Sequence, residues 1–544
     1  MRLKTSKTCP FGHLYSYVGT GIENASTAIG FNRRAHEAHV FWAGTAAVTA
    51  GLAGVLAWLL HVWPPHEDET LTLFVGRSSF GDMLDTVITE RGGAPLHFVV
   101  AWVVVHLDGG LTALRAVSLL FAVACVPLIA LLGARLAGDT AGLVAAALAS
   151  GTWMLLFNGV FARMYSLFLF TSLLSFLALL SALERGGTRR FALWAFATLA
   201  MLATHPYALL VVAAQVLFTV LRRRHVREAL ITLGAIGVAG IPLWWADVVL
   251  RNRFDVGIGG GGRRLGSPAA VLEYLWHVAG DVSTGHAWAI PVLCLALAGG
   301  AMLWRGRRGT VVLAACVLAV PAVVFMLATL GASTSPESRH LIFVLPFFSL
   351  LMAVPISRLA PALAIGAVAL LLVGEAAWAH RETPLLFEGD PRGEAHARDA
   401  AAAWLATTAR PDDVLLGYEP VYLRAWELNR SFSRHALPRA DPALFAAALN
   451  DVPEPLGRGV WVFDASDTTN VWERQTIEFG LPKPTSTFEG HAWGPYLVIR
   501  SRRPLISRAR YLDVAKDVLR FGRGLQITDA DVNLHTILQA QSRL

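Results

Sequence analysis

Charge is scarce in this chain. Only 16% of its 544 residues are Asp, Glu, Lys or Arg, where a soluble globular protein carries about 25%. With 55% hydrophobic residues and a mean hydropathy of +0.51, the deficit excludes an ordinary soluble domain. Cysteine is scarce as well. Cys125, Cys294 and Cys316 lie in apolar runs and Cys9 near the start; none falls in the polar C-terminal part. That excludes a disulfide framework there. The segment TCPFGH offers one Cys and one His, too few for a zinc site of about four ligands. A cleavable leader is not expected. Residues 1–37 are polar and basic, and the first apolar run, His39 to Trp63, exceeds a signal core of about 7–15 residues. Ionisable groups are nearly lacking from the centres of the apolar runs, where an ion-coupled transporter would carry them.

What is there is a series of apolar runs. After the first, they fall at 111–134, 140–160, 164–183, 190–204, 207–221, 228–248, 287–304, 310–331, 340–357 and 361–379. The expected fold class is a multi-span α-helical membrane protein of eleven spans. PLHFVVAWVVVHL (95–107) is shorter than the ~20 residues that a spanning helix needs. If it lies on the surface, Arg135, Arg185, Arg189, Arg190, RRRHVR (222–227), RGRR (305–308) and Arg358 all fall on the side of the basic tail. That is the positive-inside arrangement; counting it as a span would reverse it. The net charge of +7 is then a loop property, and no nucleic-acid partner is implied.

Three parts follow: a cytoplasmic tail, 1–37; a membrane domain, 38–379, with outer loops 64–110 and 249–286; and an extracytoplasmic part, 380–544. In the first loop, SFGDMLDTVITERGG (79–93) has apolar residues at helical spacing, giving juxtamembrane helices with the segment after it. In the second, GIGGGGRR (257–264) follows no strand and lacks the P-loop Lys-Ser/Thr. SPAAVLEYLWHVAG then predicts a helix capped by Ser267 with Pro268 at its first position. After Ala379 helices (394–408, DPALFAAALN) alternate with strands (413–418, 459–466, 496–501), a small α/β domain.

This threading gathers polar residues on the outer side. They include Glu67, Asp68 and Glu69 with His97, and the cationic or aromatic Arg163, Tyr165, His205, Tyr207, Arg339 and His340. An acid can take a proton from a hydroxyl nucleophile, and acids at a helix start also suit the helix dipole. Arginine binds phosphate bidentately, and single arginines near span ends also snorkel. Acid and cations together at one membrane face suggest group transfer from a lipid-linked phosphate.

The same residues carry a resemblance. Asp68-Glu69, APLHFVVAWVVVHL, LRAVSLLFAV (114–123), FARMYSL (161–167), THPYALL (204–210) and SRHLIFVLPFFSLL (338–351) follow one another in the order of landmarks in the GT-C polyprenyl-phosphate-sugar glycosyltransferases. That group is related to the protein O-mannosyltransferases and the lipid A aminoarabinose transferase. The resemblance covers residues 40–360. It implies an outer-face site in the cytoplasmic (inner) membrane and an inverting transfer, hexosyl or pentosyl, to an acceptor hydroxyl on a glycan, lipid or protein. It assigns base catalysis to Asp68 with support from Glu69. Donor and phosphate contacts go to Arg163, Tyr165, His205, Arg339 and His340, and substrate contacts to His97 and Tyr207. No cofactor is firmly implied, and a divalent metal is left open. The sequence departs from the pattern at Ala94, at His340, and at Val160-Phe161, where many relatives have Gln-Glu. The alternative reading is a transporter or flippase of a lipid-linked envelope precursor; a third is a scaffold whose outer domain binds cell-wall polymer.

Overall fold

The computed structural model of the chain describes residues 38–253, 265–330, 336–383, 391–439, 441–464, 486–525 and 527–543. The expected N-terminal tail, TCPFGH and the stretch GIGGGGRR lie outside the described residues. Apolar segments in lipid must satisfy their backbone internally, and these fold as helices. Seven helices are long and apolar enough to cross a membrane: Ala38–Val62, Leu111–Ala137, Tyr165–Arg185, His286–Gly306, Arg308–Ala328, Ser338–Ile356 and Pro361–Glu382. Two more candidates are bent pairs, Asp139–Gly151 with Trp153–Val160 (63°) and Val226–Ala239 with Ile241–Asn252 (62°). The chain is a multi-pass membrane protein with seven to nine candidate spans among the described residues; the expected count of eleven is not confirmed.

The difference has local causes. Gly151 and Thr152 interrupt the first pair, and the Thr152 hydroxyl restarts the helix by accepting from Leu155 N–H at 3.4 Å. Gly240 interrupts the second, with Pro242 in the following first turn. The runs 190–204 and 207–221 form Thr188–Leu202 and Ala208–Arg222, 15 residues each, short of the ~20 needed to span. A polar knot ties them to their neighbour. The Ser175 hydroxyl lies 3.0 Å from that of Thr198, and Gln215 accepts from Trp194 Nε1 at 2.9 Å.

The loop 64–110 is helical almost throughout. Glu67–Gly76 begins with a capping box: His66 Nδ1 accepts from Asp68 N–H, and His66 N–H donates to Glu69, both at 3.0 Å. Phe80–Asp85 continues into a π-helical turn, Thr86–Arg91. Leu96–His106 is the short apolar helix, 11 residues long. Gly92 sits at φ +73°, where a Cβ would strike the backbone of the helix Ile241–Arg253 at Leu250 and Ala246. Glycine is therefore what lets this loop close onto that helix. In the second loop, Pro268–Asp281 forms as expected, its Ser267 cap accepting from Ala270 N–H at 3.2 Å.

The C-terminal part forms a five-stranded sheet. The strands are β1 Val414–Leu416, β2 His435–Leu437, β3 Gly459–Asp464, β4 Phe488–Trp493 and β5 Tyr496–Ser501, in the order β2-β1-β3-β5-β4. β1 is parallel to β2 and β3; β5 is antiparallel to β3 and β4. One face packs on Arg508–Gly524 and Thr528–Gln541. The other face shares a core with the loop 64–110 and the start of the span after it: Leu73, Phe74, Ala101 and Leu114 pack with Leu405, Leu415, Tyr422, Val460 and Val498.

Polar contacts reinforce that junction. Arg77 lies between the rings of Phe74 (4.2 Å) and Trp426 (3.6 Å). Thr70 donates its hydroxyl to Tyr418 O, and Glu67 accepts from Tyr418 N–H at 2.8 Å. Arg439 pairs with Glu67 and, at 2.8 Å, with Glu419, whose side chain is fully buried. Truncating one partner of a buried ion pair leaves the other charge unpaired. Arg439→Ala is therefore expected to cost about 3 kcal/mol, read as a lower midpoint of thermal unfolding in detergent, with Glu419→Gln in the same background recovering part of the loss.

Candidate active site

Three consecutive acids at the start of Glu67–Gly76 diverge by about 100° per residue, and each meets a different partner. Glu67 turns to the C-terminal domain. Glu69 turns inward: it is fully buried and accepts from Arg115 Nε at 2.8 Å, Arg115 Nη2 at 2.5 Å and Ala162 N–H at 2.8 Å. Arg115 also donates to Trp63 O (2.8 Å) and Pro64 O (2.7 Å). Asp68 faces open space, which Glu67 also borders.

That space is a cavity of about 430 Å³, in the size range of small-molecule sites. It opens at one end of the helical bundle, under the C-terminal domain. The turn between Trp153–Val160 and Tyr165–Arg185 gives Arg163 and Tyr165; the turn before Ala208–Arg222 gives His205 and Tyr207. Arg339 and His340 come from the 3₁₀ turn Ser338–Val344, and His97 from the short helix Leu96–His106. Of the nine expected site residues, all but Glu69 line this cavity. Glu69 lies behind the wall, its oxygens bonded to Arg115, Ala162 and His66, where it seats the helix.

Asp68 sits between two guanidinium groups. Arg163 Nη1 donates to the Asp68 carbonyl at 3.0 Å, and Arg339 Nη2 lies 3.5 Å from its carboxylate. Burial favours the neutral acid, but Arg163, His66, Arg339 and Arg439 together outweigh it and hold the carboxyl well below the usual carboxylate range. Arg339 is fixed by Glu337 at 2.6 Å and lies over the rings of Phe161 (5.2 Å) and Tyr165 (5.0 Å). Arg163 Nε is buried and makes no hydrogen bond among the described residues.

The rest of the wall is aromatic. His340 stacks on Tyr207 at 4.8 Å and 23°, and His205 on Phe168 at 5.0 Å and 17°. His340 Nδ1 accepts from Glu337 N–H and His205 Nδ1 from Tyr207 N–H, both at 3.0 Å. The proton of each neutral ring therefore sits on Nε2. His340 Nε2 is 3.4 Å from the Tyr165 hydroxyl. His97 Nε2 donates to Ala162 O at 3.2 Å, so His97 and Glu69 fix the same turn that carries Arg163. Burial, then Arg163, pushes the His97 imidazole down to about 3 despite that bond.

Some lining residues had no signal in the sequence. Tyr418, Pro438, Arg439 and Asn533 all come from the C-terminal domain, and Arg91 from the loop 64–110. Glu337, which the threading already puts on the face of Arg339 and His340, lines the cavity with them. Among the described residues, no group of three or more His, Cys, Asp or Glu side chains is placed to hold a metal ion.

No protein-family model and no curated protein matches the chain. Among solved structures the fold is similar to ArnT from Cupriavidus metallidurans in the apo state, at 15% identity and a TM-score of 0.53, over 84% of this chain and 98% of that one. It is also similar to ArnT from the same organism bound to undecaprenyl phosphate, at 14% identity and a TM-score of 0.57, over 85% and 98%. The likeness shows a GT-C fold.

Two outcomes are expected. Glu69→Ala leaves Arg115 buried without its carboxylate and is expected to destabilise the fold by about 3–5 kcal/mol, seen as lost thermal stability before any question of activity. For His97, the unfolded ring takes a proton near pH ~6.5 that the folded ring refuses. Its contribution to stability is complete above that pH and is lost as pH falls toward about 3. His97→Gln should therefore show a smaller drop in unfolding midpoint than the unmodified chain between pH 6.5 and 5.

Proposed function

We propose that this GT-C chain is a glycosyltransferase that moves a sugar from a polyprenyl-phosphate donor to an acceptor hydroxyl, with inversion at the sugar carbon. One observation carries the reading: a carboxylate, Asp68, is exposed to a cavity between two guanidinium groups, one of which keeps an unspent N–H donor. The likeness to an ArnT structure bound to undecaprenyl phosphate supports a lipid phosphate as the ligand of those cations.

In this reading Arg163 and Arg339 take the donor phosphate. Asp68 removes the proton of the acceptor hydroxyl, whose oxygen attacks the anomeric carbon. The bond from that carbon to the phosphate oxygen breaks, and the charge left on the polyprenyl phosphate falls on the two arginines. A base needs some proton affinity, and the free carboxylate of Asp68 has little. Donor binding supplies it: phosphate on Arg163 and Arg339 cancels the field that holds the carboxyl down. The neutral rings of His205, His340, Tyr165 and Tyr207 present N–H and O–H groups to the sugar without adding charge.

The same reading sets the cavity outside the cytoplasmic membrane, together with the loops 64–110 and 249–286 and the domain after residue 380. Helices that begin at the cavity, Tyr165–Arg185 and Ala208–Arg222, end in arginine. At the far end of the bundle Arg307 reaches Arg135 O at 3.5 Å, and Gly186 lies against His225. The basic clusters thus collect opposite the cavity, which supports a cytoplasmic assignment for them.

The test uses the full chain in nanodiscs with a set of undecaprenyl-phosphate sugars, scoring release of undecaprenyl phosphate. Asp68→Asn should lower turnover by roughly 10³-fold or more while undecaprenyl phosphate still binds. Arg163→Ala and Arg339→Ala should weaken that binding by about tenfold or more. The acidic limb of kcat/KM, which reports the free enzyme, should fall below the ordinary aspartate value of ~3.9. The limb of kcat should lie at higher pH. Near-normal turnover in Asp68→Asn, or flux of lipid-linked sugar across the bilayer without transfer, would sink the proposal.

A further inference from the structure

The roof of the cavity differs in chemistry from its floor. The floor carries Arg163, with Nε unspent, and Arg339. The roof carries Tyr418, Arg439 and Asn533. Arg439 is neutralised twice over, by Glu67 and Glu419. Tyr418 accepts at its hydroxyl from Arg91 Nη1 at 3.2 Å, which leaves its own proton to donate. An anion has little to gain there.

Asn533 is the unexplained member. It lies on Thr528–Gln541, the helix whose Ala530, Leu534, Ile537 and Ala540 pack into the core beneath the sheet. The residue is only 4% exposed, yet its side-chain amide makes no hydrogen bond among the described residues, and it lines the cavity. Its amide atoms are not fully enclosed: they reach the cavity, and Asn is a poor residue for a helix interior. An apolar residue would serve packing better.

We propose that Asn533 and Tyr418 form a subsite for an uncharged, hydroxyl-rich group, a carbohydrate, so that the C-terminal domain takes part in substrate selection. The amide offers one acceptor and two donors, which matches neighbouring sugar hydroxyls, and the phenol offers a third donor. Asn533 would be a specificity-determining residue with no part in bond making. The inference deepens the glycosyltransferase reading and rests on it for the source of the sugar, which is either the donor's own ring or a saccharide acceptor.

The experiment uses the full chain in detergent with two probes: undecaprenyl phosphate, and a panel of methyl glycosides of glucose, mannose, galactose and arabinose at millimolar concentration. Thermal stabilisation is read for the unmodified chain, Asn533→Leu, which keeps volume, and Asn533→Asp, which keeps an acceptor. The expected result is saturable stabilisation by at least one glycoside that weakens by about tenfold in Asn533→Leu and less in Asn533→Asp, with undecaprenyl phosphate stabilising all three alike. Equal glycoside binding in all three, or none in any, overturns the subsite. A fall in undecaprenyl phosphate binding as well would mark Asn533 as a packing residue and overturn it too. Slow hydrolysis of an undecaprenyl-phosphate sugar separates the two sources. A drop in Asn533→Leu assigns the subsite to the donor ring; unchanged hydrolysis with lost transfer assigns it to the acceptor. Glycoside binding that depends on Asn533 in a chain that turns over no lipid-linked sugar would remove the glycosyltransferase reading and leave the subsite standing.

Discussion

The buried pair of Glu69 and Arg115 fixes where Asp68 and Arg163 stand at the site. Its six hydrogen bonds reach the end of the first span at Trp63 and Pro64, the helix cap at His66, the start of the second span at Arg115, and the turn at Ala162. A buried ion pair is a weak source of stability but a strict one, because each charge must be matched in place. Here the match fixes how the helix Glu67–Gly76 is rotated. That rotation sends Glu67 to one side, Asp68 to the cavity and Glu69 inward. The turn held by Glu69 also carries Arg163, so the carboxylate and its first cation are positioned by the same bond network.

Around that frame the structure keeps charge in opposed layers. Arg339 is pinned by Glu337 and faces Asp68; Arg439 is pinned by Glu67 and Glu419. Beside Arg339 lies a band of stacked neutral rings. A pocket arranged this way leaves Asp68 with a long ion pair, 3.5 Å to Arg339, while Glu337 and Glu419 sit in closer ones.

Much of this was legible in the sequence, for physical reasons. Long apolar runs must be helices in lipid, and Ser267-Pro268 must start one. Arginines and histidines at the ends of runs were bound to share a face once the basic clusters had fixed the threading. Asp68, His97, Arg163 and Arg339 follow from that logic. Glu69 does not, since adjacency along a helix means divergence in space. The count of eleven spans is not confirmed, because the runs at 190–204 and 207–221 give helices of only 15 residues and two other runs hide a bend of about 60° at Gly151-Thr152 and at Gly240 before Pro242. Asn533 and Arg439 left no trace, because a lone polar residue in a soluble-looking segment shows its meaning only when the distant loop it meets is known.

The bond between Glu67 and Tyr418 joins residues 351 positions apart. A ribosome adding about 5–20 residues per second needs roughly 20–70 s to make that much chain. For that interval the first loop exists without the half that will cover Leu73 and Phe74. A nascent molecule therefore presents an apolar surface at the first loop, and a chain that stops ahead of the sheet keeps that surface bare.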